Sequence, residues 1–455
     1  MTKTSLPLLI ALGGCGPRTD ATDESGSSST PPTTETATAD AATGPAATDG
    51  EERCVHAPYP YERIELGDFD RHSIVGVADL VGDGRPNIAV RRGNDSSSTT
   101  FSVLRWENGG LQLVTERILG SGEQCWSLPP SFGRPTGEGG AHVLFARSSG
   151  IRRCWLVDND VAFAVDPWLD VDFSFAAEVH GQVYAIDVDG DGRDEILLYE
   201  AWTLYQRYGG GTMPHIFEHT RDGWREHSLP FPELYLVHDG SAVVADLDGE
   251  GRPSLVLMHD VFSGDVDSVP STYEPEFHHV VVVRPTGNGY EERWRAPAGV
   301  VATQVLVDDL DGDGHPDLVL AGPDGIAVAR GMGGGSFTQP ERLVLAGYDP
   351  GDSDFRVESV AAADLDGSGE RELVALLGWP RPHDLVVVRD PLNAGEAVVL
   401  LEKAAGSSTS FEVIDIDEDG IDDIVVRTSD DPPGTRSGDR SYSLRLLKFG
   451  CPSGI

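Results

Sequence analysis

A nine-residue acidic loop returns along this chain at a nearly constant interval. The clearest copies are Asp187-Val-Asp-Gly-Asp-Gly-Arg-Asp-Glu195, Asp309-Leu-Asp-Gly-Asp-Gly-His-Pro-Asp317 and Asp415-Ile-Asp-Glu-Asp-Gly-Ile-Asp-Asp423. Weaker copies begin at Asp79, Asp246 and Asp364, and an eroded one runs from Arg134 to His142. The seven starts, at 79, 134, 187, 246, 309, 364 and 415, lie 51 to 63 residues apart. A period of this length marks a repeat architecture, whose units bury their apolar faces against one another. Each period holds about four strand-like runs, seen well in Gln304 to Val307, Asp317 to Leu320, Gly325 to Ala329 and Glu341 to Leu345. Four strands per unit is the content of a propeller blade. The expected fold is all-β: a seven-bladed β-propeller of four-stranded antiparallel blades, spanning residues 54–455.

The two ends of that region predict how the ring closes. The last loop is followed by only two strands, Ile424 to Arg427 and Ser443 to Phe449, while a spare strand, Tyr61 to Leu66, precedes the first loop. An N-terminal strand that completes the last blade removes an exposed sheet edge. Cys54 and Cys451 flank these two strands, so a Cys54–Cys451 disulfide is expected to staple the ring. Cys125 and Cys154, both in the eroded second unit, are expected to form a second disulfide, the alternative being two buried thiols.

The loop itself suggests metal chemistry. A hard divalent cation takes several oxygen ligands at close range. In the third unit Asp187, Asp189 and Asp191, at positions 1, 3 and 5, place three short carboxylates on one side of a tight turn. Gly192 permits the bend, and the carbonyl of Arg193 and the carboxylate of Glu195 complete the shell. An EF-hand begins in the same way but needs flanking helices and a Glu at position 12. Here the flanks are strand-like and position 12 is Leu198, Leu320 or Val426.

The loop-then-strand pattern, as in DGDGHPDLVLAG at 311–322, resembles the FG-GAP (VCBS-type) repeat of integrin α-subunit propellers and many bacterial surface proteins. The segment from Arg330 to Phe337 is similar to the Gly-rich turn that ends such a repeat. The resemblance implies calcium in the loops joining the first two strands of a blade. It carries full ligand sets to Asp187, Asp189, Asp191, Arg193 and Glu195; to Asp309, Asp311, Asp313, His315 and Asp317; and to Asp415, Asp417, Asp419, Ile421 and Asp423. It carries a reduced set to Asp364, Asp366, Ser368 and Glu372, and a weaker one to Asp246, Asp248 and Glu250, where Ser254 replaces the last acid. At 79, Val81 and Asn87 replace two ligands, so calcium is not expected there, nor at 134.

Residues 1–15, MTKTSLPLLIALGGC, read as a secretory signal: Lys3, a short apolar stretch from Leu6 to Leu12, then small residues before Cys15. The ending Leu12-Gly13-Gly14-Cys15 resembles the bacterial lipoprotein processing box, which implies a lipidated Cys15 as the mature N-terminus. An ordinary signal peptide with an incidental Cys is the alternative. Gly16 after the Cys implies the outer membrane or cell surface. Residues 16–53 are rich in Thr, Ser, Ala and Pro, with too little apolar bulk to offset ordering, and are expected to form a disordered tether.

The net charge is -41, from 75 acidic and 34 basic residues, which argues against nucleic acid as a partner. The sequence has no zinc-protease helix motif, no phosphate-binding Gly loop and no nucleophile elbow. The expected function is therefore a calcium-binding, non-catalytic surface lipoprotein that holds a protein or glycan partner. The alternative is an extracellular lyase or hydrolase with its site in the propeller channel or on the face opposite the calcium loops.

Overall fold

The structure is a computed structural model. It describes residues 54–55, 59–69, 72–93, 98–120, 131–134, 140–147, 150–155, 164–169, 180–189, 191–201, 212–220, 223–227, 242–260, 278–286, 289–345, 348, 356–378, 383–393, 395–405, 411–428 and 443–450. The expected signal segment, Cys15, the tether, Cys125 and Cys451 lie outside these residues, as do the side chains of Cys54 and Cys154.

The described residues form a β-propeller of four-stranded antiparallel blades. The first blade comprises Ser73–Ala78, Asn87–Gly93, Ser98–Glu107 and Gly110–Gly120. The second comprises Ser131–Gly133, His142–Arg147, Gly150–Trp155 and Ala164–Leu169. The third comprises His180–Ile186, Glu195–Ala201, Thr212–Thr220 and Gly223–His227. The fourth comprises Ala242–Ala245, Ser254–Asp260, His278–Thr286 and Gly289–Pro297. The fifth comprises Gln304–Asp308, Asp317–Gly322, Gly325–Ala329 and Glu341–Arg342, and the sixth Val357–Ala363, Glu372–Leu377, His383–Arg389 and Glu396–Ala405. A further, terminal sheet has five strands in the order Cys54–Val55, Tyr61–Glu65, Ser443–Phe449, Asp423–Thr428, Phe411–Ile414.

The spare strand pairs where the sequence placed it, with Tyr61 opposite Phe449 and Glu65 opposite Arg445. One detail differs. Cys54 lies in a strand folded back on Tyr61–Glu65, opposite Glu62, so that strand stands between Cys54 and Ser443–Phe449.

The core lies between blades. Val243, Val256 and Val280 of the fourth blade pack with Val305, Leu318 and Ala327 of the fifth. Leu306, Val319 and Ile326 of the fifth pack with Val360, Leu373 and Val386 of the sixth. Tyr59, Tyr61 and Phe449 join the sixth blade to the terminal sheet, and Ile414, Val425 and Leu446 join that sheet to Ile88, Val90 and Leu104 of the first. A sheet covered on both faces needs apolar residues at successive positions, not alternate ones. That is why Asp317–Gly322 and Asp423–Thr428 are buried along their whole length.

The first strand of each blade lies against that of the next, and Phe411–Ile414 touches both Val357–Ala363 and Ser73–Ala78. Gln304 reinforces one such seam: its Nε2 donates to the Val360 carbonyl at 3.1 Å, and its Oε1 accepts the Val360 N–H at 3.0 Å. Glu412, on the first-strand position of the terminal sheet, is buried, and that burial pushes its carboxyl up to about 8. A carboxyl raised on folding contributes stability that is fully present below the unfolded value and is lost as pH rises through the folded one. Thermal melting in chelator between pH 5 and pH 9 should therefore show a smaller alkaline loss for Glu412→Gln than for the parent chain.

Candidate metal centre

Each acidic loop joins the first and second strands of its sheet, and the backbone explains its glycines. Positions 4 and 6 adopt positive φ: Gly312 and Gly314 at 71° and 85°, Gly367 and Gly369 at 71° and 84°, Gly249 and Gly251 at 69° and 72°. These two left-handed residues turn successive N–H groups inward. In the 309 loop Asp309 accepts the N–H of Asp313 at 3.1 Å and of Gly314 at 2.9 Å, while Asp313 accepts that of His315 at 2.8 Å. The 187 loop repeats this with Asp187 and Asp191, and the 415 loop with Asp415 and Asp419.

Position 9 is where the loop meets the core. Its buried side chain accepts the N–H of position 2: Glu195 from Val188 at 2.8 Å, Asp317 from Leu310 at 2.9 Å, Glu372 from Leu365 at 3.1 Å and Asp423 from Ile416 at 3.4 Å. Asn87 does the same for Leu80 at 2.9 Å. Ser254 is too short, and its buried Oγ has no hydrogen-bond partner.

Four loops bring three acids together, with candidate ligand atoms within 4.8 Å of one another: Asp187, Asp189 and Glu195; Asp309, Asp311 and Asp317; Asp364, Asp366 and Glu372; Asp415, Asp417 and Asp419. Asp191 and Asp313 stand outside their trios, and in the 415 loop Asp419 takes the place that the position 9 acid holds in the others. The 364 loop, read from sequence as reduced, has as complete a trio as the others. The 246 loop has none: Asp248 is ion-paired with Arg284. In the 79 loop Arg134 reaches Asp79 at 2.7 Å and Arg105 reaches Asp83 at 3.0 Å, so protein cations sit on the acids.

The electrostatics of the trios favour a bound cation. Burial pushes Glu195 up to about 8 against the opposing Val188 N–H, and the charges of Asp189, Asp187 and Asp191 add to the rise. Burial likewise raises Asp317 and Glu372, and takes Asp423 up to about 8. Buried oxygens without a hydrogen-bond partner remain in three of these loops: Oδ1 of Asp311, of Asp364 and of Asp417. Such oxygens are costly to bury unless something binds them. A hard, oxygen-seeking divalent ion fits this donor set.

The loops are also tied to one another. The position 8 N–H donates to the position 1 carbonyl of the preceding loop, Ala141 to Asp79 at 2.6 Å, Asp194 to Arg134 at 3.4 Å and Asp422 to Asp364 at 2.9 Å. Gly140 shows why the eroded loop keeps a glycine, since a Cβ there would lie 2.0 Å from the Leu80 carbonyl oxygen. Outside the loops, His215 pairs with Glu226 at 2.7 Å and His227 with Glu218 at 2.8 Å.

With this geometry in view, the comparisons can be stated. Residues 309–375, the fifth loop through the sixth, match the family described as FG-GAP-like repeat. No curated protein matches the chain. Among solved structures, an Agrocybe aegerita lectin that recognises non-reducing terminal N-acetylglucosamine is 16% identical, over 83% of this chain and 89% of its own, with a TM-score of 0.46. The Dos1 propeller is 9% identical, over 83% and 78%, with a TM-score of 0.41. A Bacillus licheniformis rhamnogalacturonan lyase is 14% identical, over 77% and 80%, with a TM-score of 0.30.

Glu418 is the exception at position 4. It holds a φ of 62° where the other described loops have glycine, and its ion pair to Arg85, at 3.4 Å, is exposed. A left-handed non-glycine residue is strained, whereas glycine costs entropy on folding. Glu418→Gly should leave a net gain of about 0.5 kcal/mol, read by denaturant unfolding in chelator.

Proposed function

We propose that this chain is a calcium-binding, non-catalytic propeller of the cell surface. In this reading the terminal sheet is the seventh blade and the N-terminal strand closes the ring. Calcium stiffens the loops of one face while the propeller presents a protein or glycan-binding surface. The observation that carries the proposal is the set of clustered carboxylates in the 187, 309, 364 and 415 loops, three of which retain a buried, unpartnered oxygen. The role assigned to the ion is structural: it neutralises carboxylates that burial otherwise holds in an unfavourable charged state.

Calcium titration of the full chain by calorimetry, with melting alongside, tests this. Uptake of about four ions and a raised melting temperature are expected, since a ligand that binds only the folded state stabilises it. Glu195→Gln and Asp311→Asn should each remove or weaken one ion. Unchanged stoichiometry and affinity in both variants would overturn the ligand assignment.

Export and anchoring belong to the same proposal. Cys15 carries the lipid, residues 16–53 tether the propeller, and the oxidising compartment pairs Cys54 with Cys451 and Cys125 with Cys154. Mass spectrometry of the chain recovered from a lipoprotein-processing bacterium, under non-reducing conditions, should show an acylated N-terminal Cys15 and two disulfides. An unprocessed Met1 or four free thiols would contradict these assignments.

A further inference from the structure

The third strands bear on the loops in a way the repeat motif does not announce. Position 10 of six of the seven loops pairs with a third-strand residue that a charged residue follows: Ile88 with Leu104, Leu255 with Val283, Leu318 with Ala329, Leu373 with Val388, Ile424 with Leu447 and Ile196 with Phe217. The next third-strand residue is Arg105, Arg284, Arg330, Arg389, Lys448 and Glu218, respectively. In five sheets this equivalent position is basic; in the third blade it is acidic.

Four of the basic residues lie on the acids of their own loop. Arg105 meets Asp83 at 3.0 Å, Arg284 meets Asp248, and Arg330 meets Asp311. Lys448 meets Asp417 at 2.6 Å and Asp419 at 3.6 Å. The backbone sets this placement, because the following N–H groups, of Gly331 and Phe449, each donate to the position 9 carboxylate at 2.8 Å. Arg389 is diverted: its Nε donates to the Tyr59 hydroxyl at 2.7 Å, and that hydroxyl donates to Glu372 at 3.2 Å. In the third blade the position holds no basic residue: Glu218 stands there and pairs with His227 at 2.8 Å.

We infer that the third-strand residue is a tethered counter-cation that ranks the loops by their affinity for a divalent ion. This rests on the reading of the loops as cation sites. The 187 loop, with no basic residue at this position, and the 364 loop, whose arginine is held by Tyr59, bind tightest. The 309 and 415 loops bind more weakly, because an entering ion meets the charge of Arg330 or Lys448. The 79 and 246 loops are held by arginine and take no ion. A unit charge in contact with a ligand carboxylate changes divalent affinity by roughly tenfold or more.

The test is calcium binding by equilibrium dialysis of the full chain, comparing the parent with Arg330→Gln, Lys448→Gln and Glu218→Arg, with circular dichroism as the check on folding. A tighter and a weaker class, of two ions each, are expected in the parent. Arg330→Gln and Lys448→Gln should each move one ion from the weaker class to the tighter, and Glu218→Arg should remove one tight ion. If a variant fails to fold, terbium binding to the parent in competition with calcium reports the two classes independently. Four ions of equal affinity, or ions bound with affinities that none of the variants alters, would overturn the ranking while leaving the calcium reading intact. No uptake by any chain would overturn both.

Discussion

A carboxylate buried at the base of four of the acidic loops accepts the amide of the loop's second residue, as Glu195 does from Val188 and Asp317 from Leu310. That one bond joins the loop to the second strand, and most of the remaining geometry depends on it. It holds the loop closed over the strand ends and keeps positions 1 and 3 facing position 9. It also places an anionic side chain where solvent cannot screen it. The loop thereby becomes a local electrostatic problem that must be solved by a proton, a protein cation or a metal ion.

Different blades solve that problem differently. The first uses Asn87, a neutral acceptor of the same shape, and lays Arg134 and Arg105 on its outer acids. The fourth dispenses with the acceptor and pairs Asp248 with Arg284. The fifth and the terminal sheet keep the acids and oppose them with one cation each. The third keeps the acids and opposes them with no third-strand cation, since Glu218 stands at that position and pairs with His227. A repeat that looks graded in sequence is thus a series of different charge balances.

The interblade core imposes a second constraint. Strand Glu372–Leu377 is buried along its whole length and carries no polar residue beyond its first position. Charged chemistry is forced to the strand ends, where the loops lie. The inter-loop bonds from Asp194 to Arg134 and from Asp422 to Asp364 then link successive turns.

Much of this was legible in the chain. The period of the acidic loop, the four strand-like runs between copies and the spare strand from Tyr61 stated the blades and the terminal pairing, because repeats and strand patterns are local properties of sequence. The acidic clusters were legible for the same reason: Asp at positions 1 and 3, with an acid at position 9 or position 5, lie within nine residues of one another. What the sequence could not state was the partner of each acid. Arg284 is 36 residues from Asp248, Arg330 is 19 from Asp311, and Tyr59 is 313 from Glu372. A basic residue ending an apolar run, as in Val283-Arg284 or Leu447-Lys448, was the only visible hint. The sequence by itself determined that acidic, glycine-hinged loops would recur on a β-propeller. Only the tertiary structure decided which of them meet a cation already supplied by the protein, because Coulomb interactions depend on distance in space and the third strand's register sets that distance.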